Sequence, residues 1–264
     1  MKNNAMISIM IILLAIGAIG GYAYNEKDAG MDEDIIYQYS IIDSLMKGVF
    51  DGDLEIGELT SYGDFGLGTF NSLDGEMVVL DGVVYQVRYD GVAYVKEGSS
   101  LSPFACVTTF NKDIVIEVED HMDQSSIEEL ILSKMPSPNI PYAIRIDGTF
   151  DSMTTRSPKP QEKPYPDLVA ALADQSVFNF ESIDGTIVGF WNPSYVNDVN
   201  VPGYHLHFLN QERDSGGHVL DFSIDSGTIY LDCSYGLYLE LPTEGAYMQV
   251  DLVANSEDLE KAEN

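Results

Sequence analysis

Gly203-Tyr-His-Leu-His-Phe-Leu-Asn-Gln-Glu-Arg-Asp-Ser-Gly-Gly-His218 is the stretch on which the reading of this chain turns. Its first half alternates in the period-two pattern of a β-strand, where residues two apart point to the same face. His205 and His207 are therefore neighbours on one face. Gln211–Gly217 is rich in turn formers and returns the chain, so that His218 falls on an adjacent antiparallel strand. Three of the chain's four histidines then converge, with His121 far away in sequence. Three imidazoles that leave further coordination positions open are the donor set of a catalytic zinc or a similar divalent ion. The alternative is a solvated histidine stripe on a hairpin.

Outward from this hairpin the chain reads as strand-rich. Glu76–Leu80 and Val83–Val87 are β-branched runs joined by Asp81-Gly82, a strong short-range hairpin signal. Gly66–Phe70, Val92–Val95, Phe104–Phe110, Ile114–Val118 and Tyr142–Phe150 are further strands. So are Val177–Ile183, Gly185–Trp191, His218–Ile224 and Ser226–Tyr238. Helical spacing is read over Ile35–Val49, from Ser125-Ser126 to about Met135, and over Asp167–Gln175. The tail from Tyr247 reads as a strand followed by a polar helix. The fold class is α+β, with strand-rich mixed sheets, a few helices, two domains and the histidine hairpin in the C-terminal half. The expected divisions are 1–23 as a targeting segment, 24–34 as a linker, 35–155 as the N-terminal domain and 156–264 as the C-terminal one. Phe70-Asn-Ser-Leu-Asp-Gly75 and Phe180-Glu-Ser-Ile-Asp-Gly185 echo each other, from an old duplication or from a shared turn preference.

Charge excludes whole classes of partner. Lys and Arg number 13 against 43 Asp and Glu, a formal net charge of −30. Tracking nucleic-acid phosphates or an anionic membrane surface needs a basic face, which this chain lacks. Self-repulsion on so acidic a surface is relieved by salt, which fits a high-salt habitat. Lys2 precedes an apolar run, Ala5–Gly21, and Gly21-Tyr22-Ala23 offers a small-x-small cleavage site. The expectation is export, with this segment either cleaved near residue 23 or retained as an anchor. Cys106 and Cys233 are the two cysteines; they form one disulfide or remain buried thiols. Without a CxxC motif, thiolate zinc sites and dithiol redox chemistry are out.

No HExxH, GxSxG or P-loop is present. His205, His207 and Glu212 match the start of a cupin box, but the flanking glycines are out of register and no second box follows. Glu212 reads as a solvated turn residue.

Three segments taken together resemble another family. They are Tyr62-Gly-Asp-Phe-Gly-Leu-Gly-Thr-Phe-Asn-Ser-Leu-Asp-Gly-Glu-Met77, then Ile146-Asp-Gly-Thr-Phe150 with Thr155-Arg-Ser-Pro-Lys-Pro-Gln-Glu-Lys-Pro-Tyr165. The third is Gly189-Phe-Trp-Asn-Pro193 with Pro202-Gly-Tyr-His-Leu-His-Phe-Leu209 and Gly216-Gly-His-Val-Leu-Asp221. In combination they resemble α-acetolactate decarboxylase, from about residue 35 to the C-terminus.

That resemblance implies a zinc enzyme converting 2-acetolactate to acetoin and carbon dioxide, with a two-domain subunit whose N-terminal sheet pairs across a homodimer. It implies that His205, His207 and His218 bind the zinc, and that Glu76 and Arg156 belong to the active site. It also implies a second glutamate from the C-terminal end, for which Glu263 fits best and Glu260 is the alternative. Read from residue type alone, Glu76 is a strand-edge charge and Arg156 a loop cation. The rival readings are a cupin-like metal enzyme of other chemistry and an exported binding protein that uses the metal structurally.

Overall fold

A computed structural model describes residues 34–252 together with Leu259, Lys261 and Ala262. The targeting segment and most of the expected linker lie outside the described residues, as do Glu260 and Glu263. Among the described residues no helix is long and apolar enough to cross a membrane.

Two sheets carry the architecture. The first has seven strands in the order β15 (Gly236–Glu240), β1 (Ile35–Tyr39), β8 (Ala105–Thr108), β3 (Phe65–Thr69), β4 (Glu76–Leu80), β5 (Val83–Val87) and β6 (Ala93–Lys96). Its pairings are antiparallel except β1 with β15. The second has β10 (Met122–Asp123), β14 (Gly216–Cys233), β11 (Tyr142–Ser157), β12 (Ser176–Asn192) and β13 (Gly203–Asn210), with β9 (Ile114–Val118) also on β14. A further pairing of β13 with β14 joins β11, β12, β13 and β14 into a ring of ladders. The short strands β2 (Leu54–Glu55) and β7 (Leu101–Ser102) pair with each other. The helices among the described residues include α1 (Ile42–Met46), α2 (Ile56–Leu59), α3 (Gln124–Lys134) and α4 (Leu168–Leu172), and Leu259, Lys261 and Ala262 of the tail are helical.

The second sheet is made of longer strands than the sequence pattern gives. Tyr142–Phe150 runs on to Ser157, and the two runs either side of Asp184-Gly185 are one 17-residue strand. The Asp-Gly pair that makes a tight turn at 81–82 is absorbed there because both neighbouring strands continue past it. The chain instead relieves its twist at Ser182, whose φ is +50°, where the ladder to β11 skips a residue. Gly185, Gly148 and Gly227 lie side by side across three strands. A Cβ at Gly185 would sit 2.5 Å from the Phe208 ring, so the glycines let core side chains press onto the backbone where the strands bend.

Residues 35–49 do not form one helix. Ile35–Tyr39 is a strand held between β8 and β15, and only Ile42–Met46 is helical. The helical spacing of Ile36, Ile41, Leu45 and Val49 arises because apolar positions here are buried in both elements. Ser40, at φ +65°, makes the break between them. Ile114–Val118 is a strand as expected, and it pairs with β14. The loop from β8 to this strand crosses from the first sheet to the second. In place of the tail strand, Gly245–Met248 is a 3₁₀ turn.

Three apolar clusters fill the molecule. One lies within the second sheet and against α3, around Phe150, Phe208 and Phe222. A second joins the sheets, with Leu67, Val78 and Cys106 facing Ala143, Val188 and Phe190. The third packs α1 against α4 and includes Leu259 and Ala262 of the tail. Burying a leucine side chain contributes about 2 kcal/mol, enough to anchor a short returning segment. Both cysteines are free and buried, with no disulfide. Burial pushes the Cys106 thiol up to about 12 and the Cys233 thiol up to about 11, so neither is a nucleophile at neutral pH.

Candidate metal centre and active site

The histidine hairpin folds as its alternation requires. His205 and His207 lie on β13, and His207 pairs directly with His218 on β14. The three ring centroids are 5.2–5.3 Å apart. One ligand nitrogen from each ring lies within 4.8 Å of the others, close enough for a single ion to join them. All three rings are buried. Gly217 brings His218 to this point. Its φ is +137°, and a Cβ there would stand 2.5 Å from the Arg156 carbonyl oxygen. β14 thus slides in against β11 where any side chain would hold it off.

The donor set suits a divalent cation. His207 Nδ1–H donates to the Met77 carbonyl at 2.7 Å, which leaves the Nε2 lone pair free of its proton. Nε2 is buried and makes no hydrogen bond among the described residues. Leaving such a group unsatisfied costs about 1–3 kcal/mol, and binding an ion removes the cost. A backbone carbonyl on the far nitrogen is also the usual orienting contact of a metal-bound imidazole. Burial, reinforced by the Arg156 charge, pushes His205 down to about 3. Burial, then His205 and Arg156, holds His207 well below its ordinary value, against the opposing Met77 hydrogen bond. Both rings are therefore neutral at neutral pH, with lone pairs available to a metal.

Beside the histidines stand two charged residues, each almost fully buried. Glu76 opens β4, and its Oε2 is 3.6 Å from His207 Nε2. Its position is set by the turn before it, where Thr69 Oγ1 donates to the Gly75 carbonyl at 2.7 Å. Arg156, near the end of β11, pairs across the ladder with His218. Its Nη1 lies 3.9 Å from Glu76 Oε1. The same nitrogen donates to Gln175 Oε1 at 3.2 Å, and Nη2 donates to the Ala262 carbonyl at 2.7 Å. The first sheet is tied on here a second time, by Ser157 Oγ donating to the Val87 carbonyl at 2.8 Å. Glu76 and Arg156 read as surface charges by residue type; the contact between the sheets buries them together.

A cavity of about 30 Å³ opens onto these residues. One wall is polar, formed by Glu76, Arg156 and the three histidines, and the other is apolar, with Leu45, Phe104 and Leu172 among its residues. Thr69, Gln175 and Ala262 had no signal of their own in the sequence. Thr69 does fall within the Gly-Leu-Gly-Thr-Phe segment that carries the resemblance. Glu212 lies away from the centre, at the hairpin turn, within reach of Asn210 Nδ2 at 3.2 Å. His121 is exposed.

Fold and site together define an enzyme of a recognisable class, a strand-rich protein with a buried three-histidine centre, an acid and a guanidinium facing one small cavity. The family model described as alpha-acetolactate decarboxylase matches residues 36–254. The chain is 46% identical over 231 residues to the alpha-acetolactate decarboxylase of Methanosarcina mazei, covering 87% of this chain and 80% of that one. It is 44% identical to that of Bacillus licheniformis, covering 86% of this chain and 88% of that one. The crystal structure of alpha-acetolactate decarboxylase from Bacillus subtilis superposes with a TM-score of 0.85 at 42% identity, over 87% of this chain and 99% of that one. The chain belongs to the alpha-acetolactate decarboxylase family and is a carboxy-lyase.

Proposed function

We propose that this enzyme uses zinc, bound by His205, His207 and His218, to convert 2-acetolactate to acetoin and carbon dioxide. The observation that carries the metal assignment is the buried His207 Nε2, grouped with ligand nitrogens of His205 and His218 and with its far nitrogen committed to a carbonyl.

The substrate is a 2-hydroxy-3-oxo acid. Loss of carbon dioxide leaves an electron pair that the neighbouring ketone takes up, giving an enediolate. Zinc, when bound, supplies Lewis-acid stabilisation of the negative charge that develops on the substrate oxygens. Arg156 faces the same cavity with a guanidinium that suits a carboxylate, and it orients the group that departs. The apolar wall excludes water and receives the substrate's methyl groups, which strengthens every charge interaction opposite it. Glu76 holds the position from which a proton reaches one face of the enediolate carbon, which sets the stereochemistry. Glu263, which lies outside the described residues, is the second proton carrier of this reading. Its neighbour Ala262 reaches Arg156 through its backbone, which supports a tail that returns to the site. No organic cofactor is needed, because the substrate's own ketone is the electron sink.

The test is direct. Purified protein with one zinc per chain should release acetoin and carbon dioxide from 2-acetolactate, and chelation should stop it. A metal-loaded enzyme inert to 2-acetolactate would sink the reading.

The same reading includes a homodimer that pairs through the first sheet, and export of the chain. Light scattering at twice the chain mass supports the first, and a mature N-terminus near Tyr24 the second. A monomer, or full-length chain found in the cytosol alone, counts against each in turn.

A further inference from the structure

Arg156 is held in an unusual way for a buried cation. Among the described residues, the two hydrogen bonds that fix its fork go to neutral oxygens, the Gln175 side-chain amide and the Ala262 backbone carbonyl. The carboxylate facing it, Glu76, stands 3.9 Å away, beyond hydrogen-bond length. The acid next to Gln175 in sequence, Asp174, is turned outward onto Lys159 at 2.9 Å. Among the described residues, the guanidinium is therefore oriented without a hydrogen-bonded carboxylate.

We infer that Gln175 is a positioning residue that fixes Arg156 through a neutral acceptor and so keeps its full positive charge for the substrate carboxylate. Gln175 is placed for this by the end of α4. Its N–H donates to the Leu172 carbonyl at 3.1 Å, which closes the helix and sets the side chain just ahead of β12. It is half-buried, so it can be exchanged without opening the core. A carboxylate at this position would make the stronger, charge-assisted bond to Arg156. That bond would compete with the substrate anion for the same fork. Amide against acid at residue 175 is thus a choice between holding the arginine and quenching it. The inference rests on the proposed role of Arg156 toward a substrate carboxylate.

The test compares wild-type zinc enzyme with Gln175→Met and Gln175→Glu, following acetoin formation from 2-acetolactate across pH. Gln175→Met keeps the length and loses the acceptor. It should raise KM about tenfold with kcat little changed and zinc content intact, as loss of ground-state orientation does. Gln175→Glu should lower kcat/KM at least about tenfold at neutral pH. Its activity relative to wild type should climb as pH falls and the new carboxyl takes up a proton. That added ionisation is what a merely structural role would not produce. A ratio of Gln175→Glu to wild type that is flat with pH, or a Gln175→Met enzyme with wild-type KM, overturns the inference while leaving the decarboxylase reading intact. A wild-type enzyme that makes no acetoin overturns both.

Discussion

The two sheets meet around buried ionisable groups in two places, and the places are built differently. At the histidine centre, Glu76 and Arg156 face each other and the imidazoles of His205 and His207 are neutral, so charges of both signs share one pocket. At the crossover loop, Asp232 of β14 is fully buried among acids. Its Oδ2 accepts from the Asn111 N–H at 3.2 Å, while Oδ1 has no hydrogen-bond partner. Burial, with Asp113, Asp34 and Asp64 adding repulsion against the Asn111 hydrogen bond, pushes its carboxyl up to about 7. The first arrangement holds charges of both signs apart and presents them to a cavity. The second ties a loop down at a cost in stability. Buried charge marks a working site where it is complementary and open to a ligand.

The sharpest way to break this comparison is to remove a histidine. His218→Ala or His207→Ala should abolish stoichiometric zinc and lower kcat/KM by about 10³ or more, because the centre's Lewis acid goes with the ligand. Metal analysis and acetoin release check it together. A His218→Ala protein that keeps full zinc and full turnover would mean that the three rings do not share an ion. His121→Ala, a surface change, is the control and should match wild type.

Next in size are the charged partners. Glu76→Gln and Arg156→Met should each keep the zinc and lower turnover by about 10²–10³, the usual range for a lost proton carrier or charge partner. Arg156→Met should also weaken substrate binding, whereas Glu76→Gln should act mainly on kcat. Loss of zinc from either variant would show that the pocket's two functions cannot be separated.

Legibility follows the same division. The histidine hairpin was readable because its ligands lie within sixteen residues, where period-two alternation and a turn suffice to bring them together. The hairpin of β4 and β5 was readable for the same reason, with Asp81 and Gly82 both at positive φ. Arg156 and Glu76 are 80 positions apart and on different sheets, so only family resemblance pointed to them. Gln175 and Ala262 act on Arg156 across 19 and 106 positions, one of them through a backbone carbonyl that carries no side-chain signature. Asp232 was invisible because Tyr230-Leu-Asp-Cys233 scans as an ordinary strand with one outward acid. The crossover loop is what buries it. Residues 35–39 failed for a related reason. A helical spacing and a buried strand look alike where apolar residues face neighbours on both sides.

Removing the tail should have a smaller effect on stability than on turnover. Deleting residues 258–264 takes away the Ala262 carbonyl that fixes Arg156 and the apolar contacts of Leu259 and Ala262 with α1 and α4. Zinc should remain, while turnover falls by about 10². Glu263→Gln should reproduce most of that loss if its carboxylate moves the proton, and Glu260→Gln should not. If the truncated enzyme works at the wild-type rate, neither the tail's carbonyl nor its glutamate takes part.

The smallest expected effect is at the crossover loop, and it touches stability alone. An unfolded aspartate titrates near 3.9, and Asp232 in the fold titrates at about 7. Between those values the folded state holds a proton that the unfolded state has released, so this group's contribution is fully present below about pH 4. It declines as pH rises and is gone above about pH 7. Asp232→Asn keeps an oxygen to accept from Asn111 and puts an uncharged amide nitrogen where Oδ1 lacks a partner. At pH 8 the variant should be more stable than wild type by roughly 1–3 kcal/mol, less than about 1.4 kcal/mol per pKa unit would give in full, because burying the new amide nitrogen has a cost of its own. Near pH 4 the two should converge, because wild-type Asp232 is then neutral as well. Denaturant melts of both proteins across this range isolate the group from the repulsion of the remaining carboxylates, which is common to the two. Acetoin formation should be unchanged, since Asp232 lines no part of the histidine cavity. A difference in stability that stays constant with pH would mean that Asp232 remains ionised in the fold, and the contrast between the two buried sites would lose its energetic basis.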